Sequence, residues 1–206
     1  MPPSDPANPT SSSLPPGHLD LVGHILIAMP GMIDERFART VILICNHDEE
    51  GSMGFVLNQP VTSPKFDEIL NELKLKDANN QLINSDRDIT VFRGGPVEQG
   101  RGFVLHSLDY STPASSRVGD LAGVTATLDA LRKLCSDQPP AQALMLLGYS
   151  GWGPGQLEAE IVQNGWLSAP ATPQLIFDTP SDQQYDHALA QIGISEASLS
   201  TSAGRA

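Results

Sequence analysis

The sequence predicts an α+β fold built on one hydrophobic core, and three observations support that prediction. Short apolar runs bounded by glycine, proline, asparagine and serine recur along the chain, as is typical of β-strands. Between them lie stretches whose apolar residues repeat every three or four positions, as is typical of amphipathic helices. A length of 206 residues suffices for one sizeable core and requires no second domain.

The first half of the chain predicts one strand, one hairpin and one helix. Residues 24–29 form the strand, and residues 40–46 pair with 53–58 across the acidic glycine turn HDEEGS. Ser63 can cap a following helix that begins at Pro64. Its buried face then carries Phe66, Ile69, Leu70 and Leu73.

The middle of the chain predicts two further strands and a second helix. Residues 89–93 and 102–106 are strands joined by the sharp connection GGPVEQG. A helix is expected over residues 125–136. Its inward residues are expected to be Val124, Leu128, Leu131, Leu134 and Cys135.

The last third predicts a buried strand followed by two helices. The strand occupies residues 141–149, and the glycines after it permit a tight turn. Pro154 suits the first turn of the next helix, in which Leu157 and Ile161 share one face. A final helix spans residues 181–191, because Gly193 stops it.

The first residues and the two cysteines of the sequence suggest a cytoplasmic protein. Residues 1–17 are rich in proline and serine, which predicts a disordered tail before one domain over residues 18–206. This tail lacks the basic start and apolar stretch of a signal peptide, and no segment is long and apolar enough for a membrane span. Cys45 and Cys135 lack disulfide-framework spacing, as expected for a reducing compartment.

The charge balance makes direct binding to DNA an unfavourable expectation. The chain has 24 acidic and 12 basic residues, a net charge of −12 that repels a phosphate backbone. No helix-turn-helix pattern or basic stripe is visible. Folding could still gather the scattered arginines into a patch; these are Arg36, Arg39, Arg87, Arg93, Arg101, Arg117 and Arg132.

Cys45 and His47 are the candidates for an enzyme site. Alternate residues of a strand point to the same side, about 6.5 Å apart, so a contact between thiolate and imidazole is conceivable. The alternative interpretation is an apolar filler at Cys45 and a polar strand end at His47. The run CNHDEE crowds possible metal ligands together, whereas zinc usually draws its ligands from separated pairs, so no metal or other cofactor is expected.

The segment over residues 148–167, GYSGWGPGQLEAEIVQNGWL, combines glycines and two tryptophans at a predicted helix start. It has neither the lysine of a phosphate-binding loop nor the second glycine of a nucleophile elbow. This loop, MPGM at 29–32 and RGGP at 93–96 each follow a predicted strand end, so they can either form a cleft or pack together. Candidate binding residues are Met32, Arg93, Gly94, Gly95, Pro96, Trp152, Gly153, Gln156, Glu160 and Asn164.

Three long motifs resemble the bacterial AlgH family, also called YqgE-like. They are residues 26–60, VFRGGPVEQGRGFVLHS at 91–107, and GWGPGQLEAEIVQNGWL at 151–167. The resemblance implies a compact domain with a bifurcated, mostly antiparallel sheet folded as a pseudo-barrel with flanking helices. It also implies a proposed role in transcriptional regulation. The chain departs from the usual family pattern at Ser52, Ser150, Gly165 and Tyr185.

These observations favour a non-enzymatic cytoplasmic domain that binds a protein partner or a small ligand. The two alternatives are a thiol-dependent enzyme using Cys45 with His47, and the transcriptional regulator that the family name suggests.

Overall fold

The strands pair into one curled, largely antiparallel sheet. The computed structural model describes residues 20–32, 34–76, 80–83, 89–195 and 199. Within these residues, nine strands follow one another as His24–Ala28 (β1), Val41–Asp48 (β2), Gly51–Val56 (β3), Val91–Arg93 (β4), Val97–His106 (β5), Ser115–Val118 (β6), Ala122–Thr125 (β7), Ala143–Trp152 (β8) and Trp166–Pro170 (β9). Their order in the sheet is β6-β7-β5-β8-β3-β2-β1-β9, with β4 pairing to β8.

The sheet divides at β8. Strands β4 and β5 both pair with residues 145–147, β4 in parallel and β5 antiparallel, so they occupy its two edges. Residues 150–152, at the other end of β8, pair with β3 instead. One long strand therefore belongs to two branches, and the bifurcated sheet implied by the family resemblance is confirmed.

The curled sheet encloses the main core. Residues from both ends of the strand order, such as Val118 of β6 and Ala169 of β9, belong to one buried cluster. The last helix, Gln184–Gln191 (α4), covers this core with Tyr185, Ala188 and Leu189. The Tyr185 hydroxyl donates a hydrogen bond of 2.7 Å to the carbonyl of Ala28.

The other helices cover the outside of the sheet. Helices Phe66–Leu73 (α1) and Leu128–Leu134 (α2) share a buried cluster with residues of β4, β5 and β8. Helix Gln156–Val162 (α3) packs on the opposite branch through Leu157, in a third cluster with residues of β1, β2 and β3. A 3₁₀ helix at Glu35–Phe37 follows β1, and a π-helix at Gln174–Asp178 follows β9.

The structure confirms the predicted α+β class, strand β1, the β2–β3 hairpin and the four predicted helices, with shifted boundaries. Helix α1 begins at Phe66, and the Lys65 amide donates to Glu68 at 2.8 Å, so Ser63 is not the cap. Residues 1–17, predicted to be a tail, lie outside the described residues.

The start of α2, the inward position of Leu128 and the end of β8 were predicted wrongly. Thr125 belongs to β7, and α2 begins only at Leu128, which is 47% exposed rather than inward. Strand β8 continues through residues 150–152 instead of ending at Tyr149, because β3 supplies pairing partners there. The π-helix and strands β6, β7 and β9 were not predicted, since pairing across the sheet rather than local pattern stabilises such short strands.

Candidate functional site

A cleft of about 810 Å³ lies where the end of β8, helix α3 and the start of β9 face the loop after β1. Its lining comprises Met29, Pro30, Gly31, Met32, Asp34, Arg36, Phe37, Pro96, Ser150, Gly151, Trp152, Gln156, Glu160, Gln163, Asn164, Gly165, Trp166 and Leu199. All three glycine-rich loops singled out in the sequence thus contribute to it. They form a cleft as well as packing on one another.

The Glu160 carboxylate organises one wall of this cleft. Its Oε2 accepts hydrogen bonds from the indole Nε1 of Trp152 at 3.0 Å and of Trp166 at 2.8 Å. Its Oε1 accepts from Nε2 of Gln156 at 3.0 Å, because residues four apart on α3 lie on one side of the helix. A buried indole needs such an acceptor, since its nitrogen can only donate. One half-buried carboxylate therefore fixes both rings.

The aromatic rings pack edge to face around this carboxylate. The centroids of Trp152 and Trp166 lie 6.1 Å apart at an interplanar angle of 82°. Phe37 also contacts Trp166, at 5.6 Å and 75°. Trp152 and Trp166 end β8 and begin β9, so α3, which connects the two strands, brings its own Glu160 between them. The two indole rings are therefore held by both packing and a hydrogen bond, and Phe37 by packing.

Two glycines of the loop RGGP serve close packing instead of lining the cleft. A Cβ on Gly94 would lie 2.3 Å from the carbonyl oxygen of Gly148, and one on Gly95 would lie 2.1 Å from the carbonyl carbon of Tyr149. The loop therefore lies flat against β8 as only glycine allows. Pro96 is the residue of this loop that reaches the cleft.

Ser150 lines the cleft from β8. The residue is 1% exposed, and its hydroxyl has no hydrogen-bond partner among the residues that the structure describes. Buried hydroxyl groups ordinarily have such a partner, because losing water without replacement costs about 1 to 3 kcal/mol. A hydroxyl with spare bonding capacity therefore lies buried against a mainly apolar cleft.

At the rim, Asp34 and Arg36 form an ion pair with each other. The Arg36 Nη2 lies 2.6 Å from Asp34 Oδ2, and its Nε donates to the same carboxylate at 2.9 Å. This hydrogen bonding lowers the pKa of the Asp34 carboxyl and raises the pKa of the Arg36 guanidinium. The pair contributes little net charge to the cleft.

Cys45 and His47 lie on opposite faces of the sheet, so the expectation that they point to the same side is wrong. Ile44 pairs with Gly54 and Asn46 with Met53, which leaves Cys45 as an extra, bulged residue. A bulge of one residue reverses the alternation of side chains after it. Cys45 therefore packs against the interior cluster, whereas His47 turns outward toward α3.

The surroundings of the two residues differ accordingly. Desolvation by burial raises the pKa of the Cys45 thiol, the opposite of what a thiolate nucleophile needs. The His47 Nδ1 lies 2.7 Å from the hydroxyl of Ser52, and its Nε2 lies 3.6 Å from Oε1 of Glu158 on α3. His47 thus connects β2, β3 and α3, whereas Cys45 lies on the other face of the sheet.

Of the predicted binding residues, Met32, Pro96, Trp152, Gln156, Glu160 and Asn164 line the cleft. Gly153 lies next to it, and its amide donates to Oε1 of Gln156 at 3.0 Å. Arg93 lies apart, exposed in a separate hollow of about 320 Å³. Sequence reasoning missed Phe37 and Trp166, although a second tryptophan near an acidic helix was a usable signal.

The arginines noted in the sequence mostly pair with nearby acids. The pairs are Arg36–Asp34, Arg39–Asp186, Arg101–Glu98, Arg117–Asp120 and Arg132–Asp129. Arg87 lies outside the described residues. Folding thus offsets these positive charges one by one.

None of the helices in the described part of the chain combines the length and the apolar character needed to cross a bilayer. Within the same residues, no group of three or more histidine, cysteine, aspartate or glutamate side chains is arranged to hold a metal ion.

Comparison with known proteins agrees with the family resemblance and with the bifurcated sheet. The AlgH-like family profile matches residues 25–197, which include every strand of the sheet except the first residue of β1. The chain belongs to the AlgH-like family. Among the relatives of this AlgH-like protein is a UPF0301 protein of Sinorhizobium medicae, 53% identical over 92% of this chain and 94% of its own. A second, from Allorhizobium ampelinum, is 54% identical with the same coverage.

Solved structures extend the AlgH-like match to three dimensions. The solution structure of the AlgH protein from Pseudomonas aeruginosa has a TM-score of 0.72 and 37% identity, covering 95% of this chain and 100% of that one. A crystal structure from Corynebacterium diphtheriae has a TM-score of 0.64 and 23% identity, covering 84% and 88%. The latter shows only a shared fold. AlgH-like membership confirms the resemblance seen in the sequence and assigns no activity.

Proposed function

We propose that the protein is a cytoplasmic ligand-binding domain whose site is the cleft beside α3. The observation that carries the proposal is the combination of an apolar, aromatic wall with spare polar groups at Glu160 and Ser150. Small-molecule sites commonly combine a mainly apolar lining with a few fixed polar groups, in volumes of about 300 to 1,000 Å³. The cleft, at about 810 Å³, falls in that range and favours a small ligand over a protein partner.

The thiol-enzyme alternative has little support. Its nucleophile would be Cys45, whose thiol pKa is raised by burial and which the β-bulge separates from His47. A thiol without a base or cation beside it stays protonated at neutral pH. We therefore propose binding, not catalysis.

Direct regulation of transcription through DNA is also disfavoured. The net charge is −12, and most of the arginines already pair with acids. Because phosphate binding depends on free basic side chains, we expect no specific binding to duplex DNA in titrations at about 150 mM salt. Any effect on transcription would then pass through a ligand or a protein partner.

The cleft can be tested with a fragment library and ¹⁵N-labelled protein. The chain has two tryptophans, and both line the cleft, so their indole N–H signals report on it directly. We expect fragments that bind to shift these two signals. Fragments that instead shift only residues between α1 and α2 would contradict the proposal.

A matched pair of variants sharpens this test. Gly31 lines the cleft and Gly100 does not, and a Cβ on either would meet no atom within 4 Å. Gly31→Phe fills part of the cleft and should weaken fragment binding by about tenfold or more, whereas Gly100→Phe should leave it unchanged. Equal effects of the two variants would show that the cleft is not the site.

A further inference from the structure

Among the described residues, the Glu160 carboxylate has only neutral partners. Its hydrogen-bond donors are two indoles and one amide, all of them neutral. Glu160 takes part in none of the ion pairs formed within the described residues. Partly buried charges are normally compensated by an opposite charge, because the loss of hydration is costly. A cation supplied from outside would complete this site.

The carboxylate also retains room for one more donor. A carboxylate accepts about four hydrogen bonds, two at each oxygen. Among the described residues, Oε2 accepts from both indoles, whereas Oε1 accepts only from Gln156. The remaining position on Oε1 can take an N–H donor, and a charged donor binds there more strongly than a neutral one.

The surroundings of Glu160 favour a cation with an apolar body. The wall beside the carboxylate consists of Trp152, Trp166 and Phe37, and aromatic rings attract positive charge through their faces. Arg36 lies at the rim, 5.9 Å from the Phe37 ring, but its charge is offset by Asp34. The whole chain, at −12, also attracts cations over longer range.

Orienting the indoles does not by itself require a charge at this position. The side-chain oxygen of a glutamine also accepts two hydrogen bonds and could hold both rings. The carboxylate therefore provides a charge that the fold does not use. We infer that the ligand of this cleft is a small organic cation, a protonated amine or quaternary ammonium on an apolar body, with its charge held at Glu160.

This inference depends on the proposed function, and three matched probes can test it separately. 4-Phenylbutylamine, 4-phenylbutanol and 4-phenylbutyrate share one apolar body and differ in the charge of the head group. Each is titrated into the wild-type protein while the indole N–H signals of Trp152 and Trp166 are followed. We expect the amine to bind about tenfold more tightly than the alcohol, and the acid to bind least.

Two variants assign the preference to Glu160. Glu160→Gln should abolish the advantage of the amine while changing the affinity of the alcohol by less than about threefold. Glu158→Gln removes the same charge two residues away, beside His47, and should keep the advantage. If Glu160→Gln fails to fold, the salt dependence of binding is the second measurement. Raising the salt concentration to about 0.5 M should weaken binding of the amine to the wild type and leave binding of the alcohol unaffected.

The outcomes separate the inference from the proposed function. Equal binding of the amine and the alcohol by the wild type would overturn the inference and leave a cleft that binds ligands. An amine preference that survives Glu160→Gln would overturn the role of Glu160. If no probe shifts the indole signals, the cationic ligand class is refuted, and the fragment library alone decides the proposed function. The pentapeptide Ac-AAKAA-NH₂ should bind more weakly than 4-phenylbutylamine; equal affinity would overturn the assignment to a small molecule.

Discussion

Strand β8 lines two hollows, which differ in the hydrogen-bond and ion-pair partners of their polar groups. Its last residues, Ser150–Trp152, line the cleft beside α3, whereas Met145 and Leu147 line a hollow of about 420 Å³ between α1 and α2. The second hollow is largely aliphatic, with Ile69, Leu73 and Leu131 among its lining. Strand β8 lines both hollows, but α3 borders the cleft whereas α1 and α2 border the second hollow, so the side chains of the two sites differ.

Two polar side chains at the second hollow, those of Thr125 and Arg101, have partners within the chain. The Thr125 hydroxyl lies 2.9 Å from Nε2 of His106 and 2.7 Å from the hydroxyl of Ser115. Arg101 pairs with Glu98 at 3.0 Å. In the cleft, by contrast, the Ser150 hydroxyl lacks a partner among the described residues and Glu160 lacks a counter-ion among them. The cleft therefore differs from the second hollow less in volume than in the Ser150 hydroxyl and the Glu160 carboxylate, which can take a further partner.

The largest expected effect separates the two hollows by stability. Trp152→Ala removes a ring that is 7% exposed and hydrogen-bonded to Glu160, so it should destabilise the fold by about 3 to 5 kcal/mol. Leu128→Ala, at the rim of the second hollow and 47% exposed, should cost less than about 1 kcal/mol. Urea denaturation of the three proteins measures both differences.

Trp152→Phe provides the control for ring packing. It keeps an aromatic side chain but loses the hydrogen bond to Glu160, so it should cost less than the alanine variant. A Trp152→Ala protein as stable as the wild type would show that the aromatic wall is dispensable. The proposed difference between a ligand-binding cleft beside α3 and a mere gap in the packing would then be contradicted.

A smaller effect is expected at Cys45, on the interior side of β2. Cys45→Ser places a hydroxyl among apolar side chains and should cost about 1 to 3 kcal/mol, while binding at the cleft is retained. Because burial raises the pKa of the thiol, iodoacetamide should not modify Cys45 in the folded protein at pH 7, as peptide mass spectrometry can measure. Rapid alkylation of the native protein at that pH would restore the thiol-enzyme alternative.

The fold was largely predictable wherever local pattern and structure agree. Strand β1, the β2–β3 hairpin and the cores of the helices follow from apolar spacing and turn residues. Strand β9 and the bulge at Cys45 were not predictable, because partner strands distant in sequence determine them. A bulge carries no local signal, yet this one reversed the geometry expected for Cys45 and His47.

The position of the cleft was predictable from the sequence, whereas the contacts among its side chains were not. Glycine and proline marked the three loops, and loops at strand ends tend to converge. Whether a loop glycine faces a ligand or a neighbouring strand depends on tertiary packing, so Gly94 and Gly95 were misassigned. The hydrogen bonds from both indoles to Glu160 depend on β9, which the sequence did not reveal.

The smallest expected effects compare two serines near the cleft, on neighbouring strands. Ser52 lies 2.7 Å from His47 Nδ1, so Ser52→Ala should destabilise the fold by about 1 kcal/mol through the lost hydrogen bond. The Ser150 hydroxyl has no such partner within the described residues, so Ser150→Ala should change stability by less than about 0.5 kcal/mol or even raise it. Parallel thermal melts of both variants measure this difference. A marked loss of stability in Ser150→Ala would mean that its hydroxyl serves the fold, and Ser150 would then no longer count among the groups left available to a ligand.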